Sequence, residues 1–138
     1  EPLLWTACAY LVLLIVKNRG YLIGKSIPEE IREGVIALLT ADPAVERVLD
    51  FKSVTLDVGV YRMKCEVEVN GHALLDEYFR ESLEGEFEDI GSDYEAFKRF
   101  AINYADRIPR LIGTRIDELE ADIQAKYPSV RHIDIEVN

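Results

Sequence analysis

The chain has few of the residues that carry chemistry. Its 138 residues include two histidines, His72 and His132, and two cysteines, Cys8 and Cys65. Two cysteines build neither a disulfide framework nor a paired-cysteine metal box, so both are expected to be free thiols. No nucleophile elbow, nucleotide-binding glycine loop or HExxH string occurs. Gly20-Tyr21-Leu22-Ile23-Gly24 lacks the preceding strand and the glycine density of a phosphate loop, and reads as a flexible joint. With so few bases and no catalytic motif, an independent enzyme is not expected. Positive charge is short as well: 16 basic residues against 26 acidic ones leave a net charge of -10. That balance argues against a nucleic-acid partner, since positive charge supplies affinity for phosphate backbones. It permits cation handling, but a solvated acidic surface has the same composition.

What the chain does have is an uncharged beginning. The run from Leu3 to Val16 carries no charge, and Lys17, Arg19 and Lys25 follow it as a basic collar. Fourteen helical residues span about 21 Å, against about 30 Å for a bilayer core. In a signal peptide the basic residues would precede the run rather than follow it. A basic flank after an apolar helix marks the non-translocated side of a membrane. The collar therefore favours the end of a transmembrane helix that begins before Glu1. In that reading residues 1–19 are span end and collar, and 20–27, with Gly20 and Gly24, form a hinge. A buried core helix is the alternative.

Residues 28–138 suffice for one domain with a real core. Ser26-Ile27-Pro28-Glu29 predicts a helix start with Ser26 as the cap. Ile31, Val35, Leu38 and Leu39 mark its apolar side, and Asp42-Pro43 ends it. Val45 to Leu56 is strand-like but irregular; adjacent Val48 and Leu49 suggest a bulge, while Val54, Leu56 and Val58 alternate. Asp57-Val58-Gly59 offers a turn. Tyr61, Met63, Cys65, Val67 and Val69 then face one way, and Arg62, Lys64, Glu66 and Glu68 the other. Cys65 thus reads as a core cysteine. Asn70-Gly71 closes the strand with a hairpin-type signal. Residues 71–91 read as an insertion of short helical or irregular pieces. Ser92-Asp93-Tyr94-Glu95 predicts a second capping box, opening a long amphipathic helix that Pro109 kinks or divides. A last strand from Val130 turns Ile133, Ile135 and Val137 inward. The order helix, strand, strand, helix, strand makes a compact α+β sandwich with one sheet face uncovered.

One arrangement has the makings of a site. Period two puts His132, Asp134 and Glu136 in a row on one strand face. Zinc accepts imidazole and carboxylate ligands, but needs three or four of them. His72 supplies one by folding or by dimer symmetry, with Glu66 and Glu68 as further candidates. The plainer reading of the row is solvated strand surface.

Tyr21-Leu22-Ile23-Gly24-Lys25-Ser26, after an apolar helix and a basic collar, resembles the junction between the last transmembrane helix and the C-terminal domain of cation diffusion facilitator transporters. The resemblance continues through Asp42-Pro43-Ala44-Val45 and Ile116-Asp117-Glu118-Leu119-Glu120. It closes with Tyr127-Pro128-Ser129-Val130-Arg131-His132-Ile133-Asp134-Ile135-Glu136. It covers essentially the whole chain and is nearest to the zinc transporter nine branch, which implies a mitochondrial membrane. The family implies a proton-coupled exporter of divalent cations, usually zinc, acting as a homodimer. Its transport site, of aspartates and histidines in membrane helices, lies outside these residues. It also implies a truncated ferredoxin-like, metallochaperone-like α-β-β-α-β domain on the cytoplasmic or matrix side, with the insertion before its long helix. That domain dimerises and in some members binds regulatory zinc. His132 and Asp134 match the final-strand ligand pair of such members, and His72 is a near match to a ligand from the middle of the sheet. A metal-independent structural or protein-interaction domain of a divergent membrane protein is the competing function.

Overall fold

The computed structural model describes residues 2–22, 26–79 and 83–138. Helix α1 (Pro2–Leu22) is followed by α2 (Glu29–Ala41), β1 (Val45–Asp57), β2 (Val60–Val69), α3 (Gly71–Phe79), α4 (Leu83–Ile90), α5 (Tyr94–Lys126) and β3 (Val130–Val137). The strands form one mixed sheet in the order β1-β2-β3, with β1 antiparallel and β3 parallel to the central β2. A two-residue turn joins β1 to β2; Gly59 takes a φ of 71°, which a side chain would resist, and Asp57 Oδ1 accepts from the Val58 amide at 2.7 Å. The parallel β2–β3 pair needs a long crossover, and α3, α4 and α5 supply it. This α+β arrangement is compatible with the expected ferredoxin-like topology.

The core lies between one sheet face and two helices. Val35 and Leu39 of α2 and Leu119 and Ile123 of α5 meet Met63, Cys65 and Val67 of β2 and Val130 and Ile135 of β3. From Tyr61 to Val69 β2 alternates strictly, with apolar side chains on the core face and charged ones on the other. Helices α2 and α5 approach closely at Gly34, where a Cβ would run into the Tyr127 hydroxyl. Arg115 of α5 ties down the turn after α2. Its guanidinium donates to Asp42, which in turn accepts from the Ala44 amide at 2.8 Å.

Several local expectations are corrected. Pro28, not Ser26, is the N-cap of α2; its carbonyl accepts from the Ile31 and Arg32 amides. Asp93, not Ser92, caps α5 through the Glu95 amide at 2.9 Å. Asn70 ends β2 but makes no hairpin. Its side chain accepts from the Ala73 amide at 3.1 Å and so starts α3, because the side-chain oxygen that suits a turn also satisfies a free helical amide. Pro109 does not divide α5, which runs unbroken through it. Register shifts in β1, including one between Val48 and Asp50, reverse its phase and leave Val54 and Leu56 exposed. The bulge at Val48-Leu49 is thus present, and the clean alternation after it belongs to the uncovered face.

The apolar beginning behaves unlike the rest. Every residue from Trp5 to Val16 is exposed, over more than three helical turns, so no side of that stretch is covered. Helix α1 continues through Gly20 to Leu22 rather than stopping there. The side chains of Lys17 and Arg19, and the whole of Gly24 and Lys25, lie outside the described residues. Among the described residues no helix is long and apolar enough to cross a membrane.

Candidate functional site: the open sheet face

The pleat and the register together build the uncovered face. Across the sheet, Arg62 lies beside His132, Lys64 beside Asp134, and Glu66 beside Glu136. On the other side of β2, Lys52 faces Lys64 and Asp50 faces Glu66. Asp50, Glu66 and Glu136 therefore make a cross-strand row of carboxylates, next to a row of Lys52, Lys64 and Asp134. Like charges directly across strands repel, and Lys52 and Lys64 of the neighbouring row compensate. Lys64 Nζ donates to Glu136 Oε1 at 2.5 Å, Lys52 Nζ to Asp50 Oδ2 at 2.6 Å, and Arg47 Nη2 to Glu68 Oε2 at 2.6 Å. The hydrogen bond to Glu136 raises the Lys64 ammonium above its usual pKa, with Glu136, Asp134 and Glu66 adding attraction. The Asp50–Lys52 bond lowers the carboxyl and raises the amine. These groups are exposed or half-exposed to water, so the pairs organise the face more than they stabilise the fold.

His132, Asp134 and Glu136 do share this face, and all three are exposed. Glu66 and Glu68 join them there, half-buried on β2. His72 does not: it sits in the first turn of α3, beyond the far end of β2. About 23 Å of strand separates Arg62, the neighbour of His132, from Val69. No group of three or more His, Cys, Asp or Glu side chains converges for a metal among the described residues. Among the described residues of one copy, the strand offers His132, Asp134 and Glu136 in line, with Arg62 and Lys64 beside them. Cys65 is no donor either, being 1% exposed on the core side.

Sequence reasoning missed the neighbours from helix α5. A groove of about 670 Å³ is lined by Asp117, Glu120 and Gln124 of α5 together with His132 and Asp134 of β3 and Arg62 and Lys64 of β2. Glu120 Oε1 accepts from the Ile135 amide at 3.1 Å, which covers part of an otherwise unpaired strand edge. The i, i+3 spacing of Asp117 and Glu120 was the available signal for one shared helical face.

No protein-family model matches the chain. Metal tolerance protein C4 of Arabidopsis thaliana is 28% identical over 133 residues, which cover 92% of this chain and 29% of that protein. Proton-coupled zinc antiporter SLC30A9, mitochondrial, is 29% identical over 128 residues in both Mus musculus and Homo sapiens, covering 90% of this chain and 22% of each relative. The sequence is similar to those of cation diffusion facilitator and SLC30A9-like proteins. The identity is modest, and the chain spans 22% to 29% of the length of these relatives. The likeness is to transporters, not to enzymes.

Proposed function

We propose that this chain is the membrane-proximal end and C-terminal regulatory and dimerisation domain of a proton-coupled divalent-cation transporter, with zinc as the cation. The observation that carries the reading is similarity over 90% or more of the chain to proteins named for zinc antiport and metal tolerance. Coverage that complete reaches into α1 as well as the sheet domain. Helix α1 then meets lipid or neighbouring membrane helices, which accounts for an apolar surface exposed on every side. The sheet domain sits on the cytoplasmic or matrix side, in a mitochondrial membrane on the analogy of SLC30A9. Two copies pair, and the transport site lies outside these residues. Zinc held by His132 and Asp134 of one copy, with His72 or a carboxylate of the other, would neutralise two acidic subunits and favour one relative arrangement of them. Sedimentation of the chain in zwitterionic nanodiscs or detergent, with and without zinc, tests this. Zinc should shift monomer towards dimer, and His132→Ala should weaken the shift. Unchanged mass with no heat of zinc binding would remove the metal-driven version.

A metal-independent dimerisation or interaction domain is the second reading. The contact that favours it is the Lys64–Glu136 pair, with Arg62 beside His132, which puts cationic side chains where a metal would need open donors. A dimer whose mass is the same in chelator and in zinc would decide for it.

A further inference from the structure

The uncovered sheet face is graded along its length. Its row nearest the β1–β2 turn sets Val54 of β1 beside Arg62 of β2 and His132 of β3. Leu56 lies nearer the turn, and Val58 lies in it. The next row away from the turn is Lys52, Lys64 and Asp134, and the one after it Asp50, Glu66 and Glu136. Apolar side chains therefore come first, cationic ones next and a full row of carboxylates last. Val54 is 46% exposed, Leu56 47% and Val58 79%, so the turn end presents bare apolar surface beyond a cationic band. Asp57, in the same hairpin, accepts from the Val58 amide at 2.7 Å. Glu29 and Glu30 open α2, which packs on the other face of the sheet, and Glu29 is bonded to Arg32 at 2.9 Å.

The graded face is aligned with the entry of the chain. The Ile27 amide bonds Ser53 Oγ at 3.1 Å, in the half of β1 that leads to the turn, and α2 then runs back towards Ala44, whose carbonyl accepts from the Asn70 amide at 2.8 Å. The turn end of the sheet is thus the end at which the chain arrives from α1, while Asn138, bonded to the Val67 carbonyl at 3.0 Å, marks the far end. Five peptide links separate Leu22 from Ile27, a reach of at most about 18 Å. From Ser53 to Val58 the hairpin extends about 16 Å further. An α1 embedded in lipid therefore holds the turn end close to the bilayer, with its apolar tip leading and its carboxylates trailing. We propose that the β1–β2 turn docks on the lipid surface beside α1, with Leu56 and Val58 below the headgroups, Arg62 at the phosphates, Lys52 and Lys64 behind it, and the carboxylate row in water. The inference rests on the membrane reading of α1.

The test uses the full chain reconstituted into vesicles of mixed zwitterionic and anionic phospholipid that carry nitroxide-labelled lipid. Trp5 is the chain's one tryptophan and reports on α1; a nitroxide on the acyl chain should quench it. In a Trp5→Phe background, a Val58→Trp probe should be quenched by a nitroxide at the headgroup or upper chain, at least about threefold more than a Val137→Trp probe at the far end of the sheet. Val58 and Val137 are both exposed, so neither probe is expected to unfold the domain. Lys52→Glu with Arg62→Glu should cut quenching of the Val58→Trp probe at least about twofold, since cations hold the tip to the phosphates. Quenching of Trp5 with equally weak quenching at the two sheet positions overturns the docking and leaves the membrane reading of α1 standing. Absence of Trp5 quenching removes both. A blue-shifted Val58→Trp probe that lipid nitroxides do not quench puts protein on the turn, a second copy included, and overturns the proposal. Quenching unchanged by the charge reversal overturns it too.

Discussion

Burial pushes the Cys65 thiol from 9.0 up to about 12, and the charges of Glu120 and Asp134 add to the shift. In the unfolded chain the thiol loses its proton near pH 9, while in the fold it keeps it to about 12. Between those values the unfolded state binds fewer protons, so stability falls as pH rises, by up to about 1.4 kcal/mol per unit. Below pH 9 both states hold the proton and the contribution is fully present. Denaturation midpoints from pH 8 to 11 should fall more steeply for wild type than for Cys65→Ala, which cannot titrate there. An equal slope would mean that Cys65 is not desolvated. Gly34 makes a second residue-scale prediction. Gly34→Ala gains about 1 kcal/mol of helix propensity, but forces Tyr127 out of its seat against α2. Overpacking costs about 1–3 kcal/mol, so a net loss is expected, with Gly34→Ala/Tyr127→Phe recovering part of it in urea melts.

Helix α5 shows how an element carries a residue that its own propensity rejects. Pro109 leaves the Ala105 carbonyl without its helical donor, yet the helix continues, because Ile116, Leu119 and Ile123 anchor one half and α4 packs on the other. Pro109 is exposed. Pro109→Ala should therefore stabilise the chain, by about 1–3 kcal/mol, seen as a higher urea midpoint at unchanged slope. A lower midpoint would mean that the proline sets a bend on which the packing depends. The same logic separates what the sequence displays from what it hides. Strand β2 was legible because the nine residues from Tyr61 to Val69 alternate without a slip. Strand β1 was not, because its bulges reverse which side chains face the core, and bulges answer to the partner strand. Asn70 was read as a turn and serves as a cap, since local chemistry alone does not say which amide it will meet. Phe97 has the helical spacing of an apolar side, yet it is 54% exposed, because no other element covers that part of the helix among the described residues.

At the scale of the molecule, period two put His132, Asp134 and Glu136 on one face, and that much of the candidate site was legible. Register was not: that Lys64 reaches Glu136, 72 residues away in sequence, depends on the whole α3–α5 crossover. The distance from His72 has the same origin. The relation of α1 to the domain is the remaining question, and it has a direct test. Among the described residues the core cluster runs from Ile27 to Ile135, and Trp5 to Val16 of α1 are all exposed. The Ile27 amide, just before α2, donates to Ser53 Oγ of β1 at 3.1 Å. A chain beginning at Ser26 should consequently keep its sheet and its core. A change of 1 kcal/mol moves the melting temperature of a small domain by about 4–8 °C, so the shortened chain should melt within about 4 °C of the full one in the same buffer and detergent. It should also remain in solution without detergent, whereas the full chain, with Trp5 to Val16 bare, should not. If α1 were a core helix, its removal would strip apolar cover from the domain instead. The shortened chain would then melt far lower or fail to fold, and the membrane reading of the first helix would fall with it.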